Sequence, residues 1–144
     1  MSDKPVFTEL SDGECRAILA RNHIGRIAFA HQNRVNVHPI GYVFRENWLA
    51  CRTQEGGKIE VLRRSPYVAF EVDEVEGPLD WRSVVVQGSV YEEDFPTASR
   101  EETLAALRSI MPSVLTPDDP TPQRHLLFRI HIREMTGRSA TTKS

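Results

Sequence analysis

Cys15, Ile18 and Leu19 recur at helical spacing behind Ser11-Asp12-Gly13-Glu14. In that box the serine and glutamate side chains can satisfy backbone donors at a helix start, while Leu10 and Cys15 staple the entry. Charge and Asn at Arg21-Asn22 stop the helix. From Gly25 the apolar period drops to two: Ile27 and Phe29 alternate with Arg26 and Ala28, then Val35 and Val37 with Asn36 and His38, across the polar turn His31-Gln32-Asn33-Arg34. The second of these strands meets Pro39, which has no ladder donor and so belongs at an edge or bulge, where a ligand can reach the backbone.

Tyr42-Val43-Phe44 and Trp48 to Thr53 flank the turn Arg45-Glu46-Asn47 and predict a hairpin. Gln54-Glu55-Gly56-Gly57 breaks it. Lys58 to Arg64 predicts two helical turns with Ile59 and Leu62 on one side, closed by Ser65-Pro66. Two longer strands follow, Tyr67 to Val75 and Trp81 to Glu92, around a loop from Glu76 to Asp80; the run Val84-Val85-Val86 reads as buried on both faces. Ser99-Arg100-Glu101-Glu102 has the pattern of a second capping box, opening a helix with Leu104, Leu107 and Ile110. Pro112 to Pro122 predicts a loop, and Leu126, Phe128, Ile130 and Ile132 a last strand. Short connections without a βαβ rhythm favour a mainly β, α+β domain in which antiparallel strands close on themselves with a few short helices.

Composition narrows the class. With 144 residues, 40% apolar and 26% charged, the chain predicts one globular domain over 1–144, with a frayed polar tail at 139–144. No apolar stretch approaches the roughly 18 residues of a membrane span, and the acidic, polar start is unlike an export signal, so the cytoplasm is the expected location. Cys15 and Cys51 stand far apart without a CxxC neighbour, which suggests neither a disulfide framework nor a zinc site. A formal net charge of −2 argues against nucleic acid as a partner, so any phosphate site must be local.

One loop concentrates such chemistry. Arg52-Thr53-Gln54-Glu55-Gly56-Gly57-Lys58 ends a strand and opens a helix, bringing cations, a hydroxyl, two glycines and a helix start together. Lys58 is the only lysine between Lys4 and Lys143. The spacing matches no nucleotide-triphosphate loop, and a flexible polar turn would read the same way. Trp81, opening the strand that carries Ser83, can stack on a ring or simply anchor an edge. His125 and His131 share strand parity, but no carboxylate lies at ligand spacing, so no metal site is assigned.

These segments in this order, from Gly25-Arg26-Ile27-Ala28-Phe29 and Val37-His38-Pro39-Ile40 through Arg52-Thr53 with Gly57-Lys58 and Pro66-Tyr67-Val68-Ala69-Phe70-Glu71-Val72-Asp73 to Trp81-Arg82-Ser83-Val84-Val85-Val86-Gln87-Gly88, resemble the pyridoxamine 5′-phosphate oxidase-like flavin-binding family. Within it they are most similar to the smaller nitroimidazole-resistance-type branch. The resemblance covers most of the chain and implies a split β-barrel, a homodimer, and FMN in clefts between the subunits. It puts the flavin ring against His38, Pro39 and Ile40 and the phosphate near Arg52, Thr53 and Lys58, with Trp81 and Ser83 approaching from the partner or the cleft wall.

The larger oxidases end in a basic, aromatic segment that holds the pyridoxal substrate, whereas this chain has Arg133-Glu134-Met135-Thr136-Gly137-Arg138, so that reaction is not carried over. The implied activity is electron transfer from NAD(P)H through the flavin to a small acceptor, with the cofactor supplying the chemistry and no catalytic residue assigned. Two alternatives stay open: a flavin-binding or redox-sensing module without turnover, and a split barrel that uses deazaflavin or haem instead of FMN.

Overall fold

The computed structural model describes residues 4–93 and 97–142. The chain runs β1 (Pro5–Glu9), α1 (Asp12–Arg21), β2 (Ile24–His31), β3 (Arg34–Gly41), β4 (Val43–Arg45), β5 (Trp48–Thr53), α2 (Gly57–Arg64), β6 (Tyr67–Gly77), β7 (Asp80–Glu92), α3 (Ala98–Arg108) and β8 (Leu126–Thr142). All strand pairs are antiparallel, in the order β3-β2-β6-β7-β8-β5-β4, with β1 added to β8. The two end strands, β3 and β4, are separated in the chain by Tyr42 alone, so the sheet must curl until its ends meet. That curled, unsealed sheet is the split barrel. Among the described residues no helix is long and apolar enough to cross a membrane.

Local sequence explains the elements that set this geometry. Ser11 Oγ accepts from the Glu14 N–H at 3.1 Å and Glu14 Oε1 accepts from the Ser11 N–H at 3.0 Å, the capping box that starts α1. Asn22 ends the helix by donating to the Ile18 carbonyl at 2.9 Å. The β2–β3 turn holds Gln32 and Asn33 at φ 51° and 62°, the positive pair that matches a tight turn to the twist of its strands. Inside the barrel, Tyr42 meets Phe70 edge-on at 5.1 Å and donates its hydroxyl to the Leu19 carbonyl at 2.8 Å. This ties α1 to the seam where the sheet ends meet. A second cluster seats Leu104 and Leu107 of α3 on Val43, Trp48 and Leu127.

Three expectations need correction, and one strand was not foreseen. Residues 139–142 are no frayed tail: β8 continues to Thr142, with Ser139 paired to both Thr8 and Arg82, while Lys143 and Ser144 lie outside the described residues. β1 had no counterpart in the pattern because its partners lie at the other end of the chain, Pro5 opposite Thr142. Ser99 does not cap α3. Thr97 does, accepting from the Arg100 N–H at 3.1 Å, because Ser99 is drawn away to donate to Glu93 Oε1 at 2.6 Å. The valine run of β7 is buried on one face only: Val84 and Val86 enter the core, Val85 is half-buried and Gln87 exposed.

Candidate functional site

Strand parity decides what β3 can present. Asn36 pairs with Phe29 and His38 with Ile27, so both stand on the face of β2 that turns inward; Val35, Val37 and Pro39, paired with Ala30, Ala28 and Arg26, stand on the outer face. Helix α2 is anchored by buried Ile59 and Leu62, which leaves Lys58, Val61 and Arg64 on an adjoining stripe. Between that stripe and the inward residues of β2 and β3 lies a cavity of about 430 Å³, lined by Phe29, His31, Asn36 and His38 on one side and Gly57, Lys58, Glu60, Val61 and Arg64 on the other.

The cleft joins an aromatic wall to a cationic one. The His38 ring lies nearly parallel to Phe29, with centroids 5.7 Å apart at 19°. Burial pulls the Lys58 ammonium below the ordinary lysine value, and among the described residues no carboxylate pairs with it. An anion beside it would favour the charged form. The amino terminus of α2 has no side-chain cap, so its first N–H groups face outward. Gly56, at φ 156°, adopts a conformation that side chains disfavour, and no atom lies within 4 Å of where a Cβ would stand on Gly56 or Gly57. The backbone there is open to a close approach. Cys51, fully buried behind this corner, has its thiol pushed well up by burial and stays protonated.

The structure brings together only part of the residue set expected from sequence. His38 and Lys58 line one cleft. Ile40 is buried in the core, and Pro39 sits on the outer face of edge strand β3. Thr53 is buried at the end of β5, and neither it nor Arg52 lines the cavity. The Arg52 guanidinium turns instead to Asp119, at 2.6 and 3.1 Å, and to Thr121 Oγ1 at 2.8 Å. Trp81 and Ser83 stand on the outer face of β7; Trp81 packs near Phe7 with centroids 6.4 Å apart, and Ser83 donates to Glu71 Oε2 at 2.9 Å. The cleft adds His31, Asn36 and Arg64. Parity with His38 singles out Asn36, and the i, i+3, i+6 stripe from Lys58 singles out Arg64.

The outer face of the same sheet carries a second feature. Ile24, Val35, Val37 and Tyr67 are exposed there around small residues, Ala28, Ala30 and Ala69, that floor a cavity of about 690 Å³. Arg133 lies over the Tyr67 ring at 5.5 Å and donates to Ser89 Oγ at 3.2 Å. Farther along this face Arg26 reaches Glu71 at 3.3 Å and Asp73 at 3.5 Å. Burial, and then the adjacent Asp73 carboxyl, push Glu71 above the usual carboxylate value.

A family model described as pyridoxamine 5′-phosphate oxidase matches residues 11–139. An uncharacterized protein of Rhizobium meliloti (strain 1021), RA0666, is 30% identical over 141 residues, covering 91% of this chain and 93% of its own. Among solved structures, a FAD-binding protein from Mesorhizobium loti superposes with a TM-score of 0.81 at 29% identity, over 96% of this chain and 99% of that one. A protein from Bacteroides thetaiotaomicron assigned to 5-nitroimidazole antibiotic resistance shares the fold, with a TM-score of 0.70 at 19% identity over 99% of this chain and 91% of that one.

Proposed function

Because the chain belongs to the pyridoxamine 5′-phosphate oxidase family, we propose that it is a flavoprotein that binds FMN between the two subunits of a homodimer and passes electrons from NAD(P)H to a small oxidised acceptor. The observation that carries this reading is the cleft in which Lys58, unpaired among the described residues, and an uncapped helix start face the stacked pair Phe29 and His38. One side suits a phosphate ester and the other a planar ring. The FAD-binding relative from Mesorhizobium loti supports a flavin, since FAD and FMN share the ring and the first phosphate.

In this reading each group has a bounded task. Lys58 and the first N–H groups of α2 hold the phosphate. His38, exposed beside Phe29, lies against the ring and has an imidazole N–H to offer, while Pro39 and Ile40 fix the strand that carries it. Arg52 and Thr53 close the strand from which the corner departs. When bound, the flavin supplies the two-electron chemistry, and the protein orients it and keeps water out. The exposed apolar residues of the outer face, with Trp81 and Ser83 on its β7 margin, support a second subunit covering that surface.

The test is direct. The purified protein is titrated with FMN while flavin absorbance and fluorescence are followed, and the ligand released on denaturation is weighed by mass spectrometry. Flavin uptake and a flavin mass are expected, followed by oxidation of NADH or NADPH when an acceptor is added. A released deazaflavin or haem, or no uptake of FMN, would remove the cofactor assignment. Flavin uptake without turnover across several acceptors would leave a binding module in place of an enzyme.

A further inference from the structure

We infer that Arg64, and not Arg52, is the arginine that joins Lys58 in gripping the phosphate ester in the α2 cleft; the inference rests on the flavin-nucleotide reading above. Four arginines lie near this corner, Arg124 among them through its charge on Lys58, and their partners and placement separate them. Arg52 is spoken for: its guanidinium is bound to Asp119 and Thr121, with the two ion-pair side chains only 10% and 0% exposed. Turning it toward the cleft would strand the Asp119 carboxylate, buried and without a countercharge. Arg63 is held between Glu92 at 2.6 Å and Glu55 at 3.0 Å. Neither the Arg64 nor the Arg124 guanidinium has a hydrogen bond or ion pair among the described residues, and of the two only Arg64 lines the cavity.

Helix geometry and charge agree with that selection. Lys58, Val61 and Arg64 follow one another at i, i+3 and i+6 along the wall of the cleft. The two cations are thus separated by a rise of about 9 Å, which long side chains bridge toward a group lying between them. Glu60 also lines the cavity, so Lys58 alone would leave its charge balanced to zero. Arg64 turns the balance positive, as an anion site requires. Its planar fork also suits the paired oxygens of a phosphate better than a second ammonium would. His31 and Asn36, facing the helix from β2 and β3, offer further donors to the same group.

The test compares FMN with riboflavin, which has the ring and lacks the phosphate, on wild type, Arg64→Ala, Arg64→Lys and Lys58→Ala. Arg64 is exposed, so its replacements should melt with the wild type. Arg64→Ala is expected to weaken FMN by roughly tenfold or more. Its riboflavin affinity should be unchanged, and Arg64→Lys should restore part of the loss. If Lys58→Ala weakens FMN and Arg64→Ala does not, the arginine assignment is overturned while the flavin reading stands. If Arg64→Ala weakens FMN and riboflavin alike, its role is not at the phosphate and the inference falls. Wild-type protein that takes up neither flavin overturns the flavin reading itself, and the assignment with it.

Discussion

Arg52 and Asp119 form an ion pair at 2.6 Å across 67 positions of sequence, and the same carboxylate accepts from the Leu115 N–H at 2.8 Å and the Thr121 N–H at 2.9 Å. One buried side chain thus pins the proline-rich connection before β8 onto the end of β5, next to the corner that opens α2. Arg52 guanidinium first, and then the two backbone donors, hold the Asp119 carboxyl far below the usual carboxylate range.

That pairing predicts a structural rather than a ligand phenotype for Asp119→Asn. The amide keeps the shape and removes the charge, leaving a nearly buried guanidinium without its countercharge. Thermal denaturation near neutral pH should show the variant melting several degrees below wild type. Because the folded carboxyl is depressed, its stabilisation is present above the ordinary carboxylate value and fades as the pH falls below it. The gap between the two melting curves should therefore narrow in acid. A gap that widened there would contradict the assignment.

A second carboxylate ties α1 to the sheet. Glu74 on β6 accepts from Arg21 Nε and Nη2 at 2.7 and 2.6 Å, from Asn22 Nδ2 at 2.6 Å, and from Arg82 Nε at 3.1 Å. Arg21 is the largest cause of a carboxyl pKa held down to about 2. Glu74→Gln should cost on the order of 1 to 2 kcal/mol near neutral pH, the raw shift being discounted because Arg21 is open to solvent. For a depressed carboxyl the contribution is complete above the unfolded value of 4.5 and is lost as the pH falls from there through about 2. Denaturant midpoints across that window should converge; parallel midpoints would show that Glu74 does not titrate as the structure implies.

The features readable in the sequence were those set by near neighbours. The Ser11 capping box, the β2–β3 alternation and the positions of Pro39 and Lys58 follow from side-chain spacing and backbone sterics, and each takes the expected place in the fold. Features set by distant partners were not readable. Ser-Ala-Thr-Thr at the end of β8, residues 139–142, has the composition of a tail, and only its ladders to β1 and β7 order it. Ser99 has the pattern of a cap, but Glu93, itself 3.2 Å from Arg129, claims its hydroxyl. Arg52 has the placement of a phosphate ligand at a strand end, and only the fold reveals Asp119 beside it. Arg64 enters the cleft through the facing of α2, which follows from burial of Ile59 and Leu62.

Gly88 is a tight spot in the β7–β8 ladder. A Cβ there would stand 2.6 Å from Ile130 Cγ2 and 2.7 Å from the His131 carbonyl oxygen, at the irregularity where the register shifts between Gln87 and Gly88. The backbone oxygen cannot swing aside as a flexible side chain could, so Gly88→Ala must open the ladder. A loss of about 1 to 3 kcal/mol is expected in chemical denaturation. Unchanged stability would show that the two strands yield more easily than this packing implies.

Val37 tests whether the outer face of the sheet is covered by a second copy of the chain. It is 58% exposed on edge strand β3, beside Val35 and opposite Ala28, and it points away from the cleft that holds His38 and Lys58. Val37→Glu therefore leaves the core and the cleft-lining residues untouched, and its melting as a lone subunit should be little affected. In a dimer closed over this face the carboxylate would be buried without a partner, and by two-fold symmetry the cost would fall on both subunits. Sedimentation analysis should then find wild type at twice the mass of the variant. If FMN binds between two subunits as proposed, its affinity should fall in parallel although Lys58 and Arg64 are intact, because the cleft would lose the cover of the second subunit. A wild-type chain that sediments as a monomer, or a variant that dimerises as well as wild type, would rule out this face as the contact.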